Sequence, residues 1–323
     1  MYSRRSFIKK AILSLASLLW SSCQFFPTRW SDAISEPTPD IVYPNTDPDH
    51  KNNIELDSFQ VLADGIDFPE SPTFDNNGNL WCTEMHPGNL IFWYQEEISR
   101  YACNGRPNSI IFDKSNVAWI CDSENNAIRT FNPQNQTWIT ITDKVNHETL
   151  QTPNDLIFDA EGNLIFTCPN HQDSTPRGYV CCHLPFGETI KIAEGMYRPN
   201  GIVLLNESKT LIVADTFLKQ LFIGNWDSKN TILSKLTPWI TIGGAEGPDG
   251  LTVSSDEKLF CAVFGVVIIK VLDKFGNALF EIHVPGQNPT NVALDPKGEL
   301  GLVVTEAEKG LLLSFPNIKN LPG

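Results

Sequence analysis

The chain has 323 residues, 41% of them apolar, which suits one large all-β domain or two ordinary domains with a substantial core. Its 24 Lys and Arg stand against 38 Asp and Glu, a net charge of −14. That acidic balance excludes nucleic acid as a partner, because phosphates require a basic face.

Residues 1–23 read as an export signal: "SRRSFIKK" (Ser3 to Lys10) precedes the short apolar run "AILSLASLLW" (Ala11 to Trp20). That run is too short to span a bilayer comfortably. Arg4 and Arg5, with Ser3 before them and Phe7 after, resemble the twin-arginine motif, which exports proteins already folded. Cys23 closes "LWSSC", which resembles a lipoprotein cleavage box with Trp20 in the place of the usual Leu. Cys23 is therefore a candidate lipid anchor, and an ordinary cleavage after Ser35 is the alternative. The expected location is the periplasm, either soluble or held to the membrane by that lipid. Residues 24–57, rich in Pro, Asp and Asn and without apolar period, read as a tether.

From residue 58 to about 318 the chain repeats itself. Six stretches combine a Pro turn, a short apolar strand, a polar turn and a second strand. They begin "FPESPTF" (Phe68), "RPNSIIF" (Arg106), "TPNDLIF" (Thr152), "RPNGIVL" (Arg198), "GPDGLTV" (Gly247) and "NPTNVAL" (Asn288). The residue after each Pro falls at 70, 108, 154, 200, 249 and 290, intervals of 38, 46, 46, 49 and 41. That is the length of a four-stranded propeller blade. The strands are β-branched and aromatic, broken by Gly, Asn and Asp. The expected fold is thus an all-β, six-bladed β-propeller, closed when "SFQVLADG" (Ser58 to Gly65) joins the last blade.

Seven cysteines follow Cys23, an odd number without CxxC spacing, in strand-like runs where a buried thiol is the ordinary reading.

Closure makes equivalent residues a ring at one mouth of the channel. The ring after Pro reads Glu70, Asn108, Asn154, Asn200, Asp249 and Thr290. Carboxylates and amides are hard oxygen donors, which suit one divalent cation: calcium first, with magnesium, manganese or zinc as alternatives. No His or Cys joins the ring, which argues against a typical zinc site. Pro-Asn-Gly and Pro-Asp-Gly are also ordinary turn sequences, whereas Glu70 in "PES" has no turn logic. Asp215 in "VADT" either lines the channel or ends a strand.

With these motifs in order, residues 58 to 315 resemble the senescence marker protein, gluconolactonase and luciferin-regenerating enzyme family. The resemblance implies a six-bladed propeller with one axial divalent metal, held here by Glu70, Asn154, Asn200 and Asp249. Ser71 replaces the Gly that usually follows the Glu. Thr152 stands where some sugar-lactone members carry an Arg that reaches substrate, which counts against a sugar preference. Asn154 and Thr152 are the implied substrate contacts. His171 and Arg177, in the loop "CPNHQDSTPRG", are further candidates, and His86 in "TEMHPGN" a weaker one. The implied activity is metal-dependent hydrolysis of a lactone, gluconolactone-like, or of a related ester. The metal would polarise the carbonyl and Asp249 would activate water. The competing expectation is a propeller that binds calcium or a small ligand without turnover. A strictosidine-synthase-like propeller would not need this donor set.

Overall fold

The computed structural model describes residues 59–170, 175–205 and 209–320. The export signal, the tether, Cys23, Ser58 and His171 lie outside the described residues.

Six antiparallel sheets follow one another along the chain as blades 1 to 6. Their innermost strands are Pro69–Phe74, Pro107–Phe112, Leu156–Phe158, Pro199–Leu205, Gly247–Val253 and Pro289–Leu294. Blade 4 carries a fifth short strand, Ile232–Leu233. A small hairpin, Lys144–Val145 with Glu148–Thr149, precedes blade 3. Closure is a pairing across the whole chain: Gln60–Ala63 lies antiparallel to Leu311–Phe315 as the outer strand of blade 6. An N-terminal strand completing the C-terminal sheet removes the open edge that a linear array would leave.

The core is not a single mass but six apolar layers between successive blades, because each strand alternates its side chains between the two neighbours. Ile91 and Leu312 pack between blades 6 and 1, and Ile120 and Phe131 between blades 1 and 2. Adjacent Cys181 and Cys182 serve opposite layers, the first facing blade 2 and the second blade 4. All seven cysteines after Cys23 are buried and unpaired. Burial, with Asp122 adding to it at Cys103, pushes the thiols of Cys103 and Cys182 up to about 12, so both are inert packing groups.

Polar side chains hold the two ends of each blade. At one end, Asp75, Asp113 and Asp159 cap the turn into the second strand; Asp75 Oδ1 accepts from Asn77 and Asn79 N, both at 2.9 Å. Indoles reach the same carboxylates, Trp119 on Asp113 and Trp226 on Asp159, each at 2.9 Å. At the other end a buried carboxylate closes the second strand of four blades: Glu84, Asp122, Asp215 and Glu306. Each accepts the main-chain N–H groups that lead into its own blade's Pro. Asp215, for example, takes Tyr197 N at 2.9 Å and Arg198 N at 3.2 Å. Asp215 therefore ends a strand and positions the Asn200 segment.

Asp122 shows what this costs. Burial alone would raise its carboxyl, but hydrogen bonds from Asn125 and Arg129 override it and hold the group below its usual range. Arg129 Nη1 lies 2.7 Å from Asp122 Oδ2 and stacks over Trp138. Arg129→Ala leaves a fully buried charge without its partner and is expected to lower unfolding stability by about 3 kcal/mol, read from a urea midpoint with unchanged slope. A change within about 0.5 kcal/mol would mean the pair contributes nothing to the blade.

Candidate metal and active site

The six Pro segments are not turns. Pro69, Pro107, Pro199, Pro248 and Pro289 each lie in the innermost strand of their blade, and the residues after them form a β-bulge. A bulge places two residues against one on the partner strand and re-aims both side chains. The glycines after Asn200 and Asp249 follow from close approach, not from turn geometry. A Cβ on Gly201 would sit 2.2 Å from Asp249 O, and one on Gly250 2.0 Å from Asn291 Cγ.

The bulges create two adjacent rings. The first is the expected one. Glu70 and Asp249 are buried, while Asn108, Asn154 and Asn200 are half-buried. Thr290, the sixth member, is used for closure instead: its hydroxyl lies 2.7 Å from Pro69 O and 2.8 Å from Thr305 Oγ1. The second ring is one residue further along: Ser71, Ser109, Asp155, Gly201, Gly250 and Asn291. Ser71, Asp155 and Asn291 face a cavity of about 250 Å³ that runs down the axis between the inner strands. Sequence reading missed Asp155 and Asn291, although the column after the expected ring contains both.

These rings set a consistent charge problem. Burial pushes Glu70 well up, and the neighbouring charges of Asp249 and Asp155 add to it; Ser71 N and Asn291 donate to Glu70 and oppose the shift. Burial likewise pushes Asp249 up to about 8; Asn200 donates to it, and Arg198 is the cation nearby. Asp155 is pushed up to about 7 by burial, though Leu156 N and Ile202 N donate to its two oxygens at 2.9 and 3.0 Å. Three acids thus converge where each would rather be neutral, unless a cation lies among them.

The donor chemistry fits a divalent cation. The Asn200 amide nitrogen is engaged with Thr216 Oγ1 at 3.1 Å and with Asp249, which leaves its oxygen as the atom for an ion. The donors are oxygen only, with two carboxylates and amides in the first ring. Among the described residues no three His, Cys, Asp or Glu side chains gather closely enough to hold a metal by themselves.

The other expected residues divide. Thr152 adopts a left-handed backbone (φ 50) unusual for a β-branched residue, and its N donates to Asn126 Oδ1 at 2.7 Å. Its hydroxyl is buried with no hydrogen-bond partner among the described residues. Arg177 is exposed in its loop, its main chain bonded to Thr175 and Asn170. His86 is exposed, 3.0 Å from Asp67, with its ring 5.0 Å from Phe68.

Comparison with known proteins places the chain in a family. Residues 68–308 match the family model described as the SMP-30/Gluconolactonase/LRE-like region. The chain belongs to this family. It is 27% identical over 234 residues to a lactonase, drp35, of Staphylococcus aureus, covering 68% of this chain and 70% of that protein. It is 24% identical over 274 residues to a gluconolactonase of Zymomonas mobilis, covering 74% and 76%. Among solved structures, a Xanthomonas campestris gluconolactonase superposes with a TM-score of 0.71 at 19% identity, covering 79% of this chain and 88% of that one. A calcium-binding protein, regucalcin, from Agrobacterium tumefaciens gives 0.70 at 18%, covering 79% and 92%. At these identities the structural matches establish the fold.

The acids' raised values fix the sign of a pH effect in metal-free protein. A carboxyl raised in the fold binds more protons there than in the unfolded chain, so its stabilisation is complete below about pH 4 and is lost as pH rises towards 8. In chelator, the melting temperature is expected to fall between pH 5 and 8. Calcium should reverse the fall, since a ligand of the native state stabilises it. Asp249→Asn should melt higher than the unsubstituted protein in chelator at pH 8 and gain less from calcium. A metal-free protein that is equally stable across this range would show that these carboxyls are not raised in the fold.

Proposed function

We propose that the protein is a metal-dependent hydrolase that opens lactones, with Glu70, Asn154, Asn200 and Asp249 holding one divalent cation, calcium first. The observation that carries this reading is the convergence of buried acids, raised first by burial, with amide donors at one point on the axis. The names of the relatives, a lactonase and a gluconolactonase, support the reaction class.

A divalent cation bound there keeps the carboxylates ionised and draws electrons from the lactone carbonyl oxygen. Asp249, ionised and close to that point, takes the proton of a water molecule as its oxygen adds to the carbonyl carbon. The ring C–O bond then breaks, and the proton returns from Asp249 to the departing alkoxide, giving a hydroxy acid. Asn200 holds Asp249 in orientation through its amide, and Arg198 tempers the negative charge around it. Thr152, with an unengaged buried hydroxyl two residues before Asn154, is the proposed hydrogen-bond partner of substrate beside Asn154. Arg177, in the loop between the second and third strands of blade 3, is proposed as an outer contact, and so is His171. We also propose delivery to the periplasm through the twin-arginine segment, with Cys23 as the candidate lipid anchor, tested by whether Arg4→Lys with Arg5→Lys leaves the precursor in the cytoplasm.

Asp249→Asn keeps the shape and one oxygen donor but removes the base. At saturating calcium, kcat on a lactone is expected to fall at least about a hundredfold, whereas Asn108→Ala should stay within about tenfold. A near-normal rate in Asp249→Asn with calcium bound would remove Asp249 from the base role. Calcium binding by the protein with no turnover on a lactone and ester panel would favour the non-enzymatic binding propeller instead.

A further inference from the structure

The strand order fixes what surrounds the candidate site. Each innermost strand starts at the metal ring and runs away from it, and the second strand returns. The loops after the second strands therefore stand around the same mouth as the ring. These loops include Met85–Gly88 in blade 1, Thr216–Lys219 in blade 4 and Gly265–Val267 in blade 5. In blades 4 and 5 they present apolar side chains, whereas the corresponding loops of blades 2 and 6, residues 123–126 and 307–310, are polar. Phe217 and Leu218 are 43% and 36% exposed, and Val267 is 39% exposed. Tyr197, one residue before Arg198 and Pro199, stacks on Phe217 with ring centres 5.2 Å apart and planes 13° apart. Across the axis, Phe68 lies one residue before Pro69 and Glu70. Phe264 pairs with Gly247 at the start of the Asp249 strand. Their rings approach to 6.4 Å, bridging blades 1 and 5 over blade 6. Phe68 is held there by a left-handed backbone (φ 57), a conformation that an aromatic residue seldom adopts.

Each aromatic side chain is thus tied in sequence or register to a residue of the metal ring, and they come from opposite sides of it. Singly exposed apolar residues are ordinary on a protein surface. Two aromatic pairs beside a buried polar centre supply the apolar surface that a small-molecule site needs next to its few polar groups. A polyhydroxylated ring would stack its C–H faces on these side chains, but among the four only the Tyr197 phenol can bond its hydroxyls, so the hydroxyls gain little there. An alkyl chain would gain burial with every methylene, about 0.8 kcal/mol each.

We propose that the mouth selects lactones bearing an apolar chain beside the ring oxygen, the chain lying between Phe68–Phe264 and Tyr197–Phe217, in preference to sugar lactones. This rests on the lactonase reading and names its substrate class. The experiment compares kcat/KM for γ-butyrolactone, the same lactone with a pentyl chain and glucono-δ-lactone, all at saturating calcium. In parallel, calorimetry measures binding of the pentyl γ-lactam, a non-hydrolysed isostere. The pentyl lactone is expected to exceed glucono-δ-lactone by at least about tenfold. Phe264→Ala and, independently, Phe217→Ala should each lower the ratio of pentyl to unsubstituted lactone by about tenfold and weaken the lactam by a similar factor. A preference for glucono-δ-lactone, or a ratio and a lactam affinity that neither variant moves, overturns the proposal while leaving lactone hydrolysis intact. Lactam binding weakened by both variants, without turnover of any lactone, supports the apolar mouth and rejects the hydrolase reading instead.

Discussion

Ring closure is the constraint on which the site depends. Gln60–Ala63 pairs with Leu311–Phe315, and Thr290 Oγ1 of blade 6 reaches Pro69 O of blade 1. Glu70 and Asn291 are more than two hundred residues apart in the chain, yet closure makes them hydrogen-bonded neighbours. It also brings Asp249 close enough to raise the Glu70 carboxyl. A linear stack of the same blades would have no axis, and its acids would each face solvent. The long-range pairing therefore does more than protect an edge. It creates the low-dielectric point at which like charges meet.

That meeting is unfavourable without a cation. Hydrogen bonds from Ser71 N, Asn291, Asn200, Leu156 N and Ile202 N offset part of the burial penalty, but each of the three acids remains raised. The contrast with the strand-end carboxylates is informative. Glu84 and Asp122 are also buried, yet Arg100 and Arg129 with neighbouring amides hold both below their usual range. The fold thus offsets the burial of Glu84 and Asp122 with its own cations, whereas the three axial acids stay raised, the state that the cation of the proposed function would relieve. Electrostatic strain concentrated at a functional centre is the usual pattern in binding sites.

The repeat made the architecture legible. A Pro every 38 to 49 residues, with β-branched strands and polar turns between, specifies blades, and the first ring followed from register alone. Three features were not legible. "PNG" and "PDG" carry the residues of turns, but here the glycines admit the neighbouring blade's Asp249 carbonyl and the Asn291 side chain. The second ring was hidden because Asp155 and Asn291 share their column with two serines and two glycines, so no donor type runs through it. The aromatic mouth was hidden because Phe68, Tyr197, Phe217 and Phe264 fall at different offsets from their Pro and meet only after closure.

The bulge connects these features. A regular strand would alternate Glu70 and Ser71 to opposite faces, one towards the axis and one into the layer between blades. With an extra residue inserted, both side chains are re-aimed, and the main chain twists sharply, as the positive φ of Ser71 records. Ser71 can then bond both Ile110 N and Ile110 O of the next blade, at 2.9 and 3.3 Å, while Glu70 reaches the ring. Asp155 does the equivalent between blades 3 and 4 through Ile202 N, beside Asn154 and Asn200. In these two pairs the second residue fastens adjacent blades, and its predecessor faces the axis. The spacing of the donors is set by the same bonds that hold the blades together.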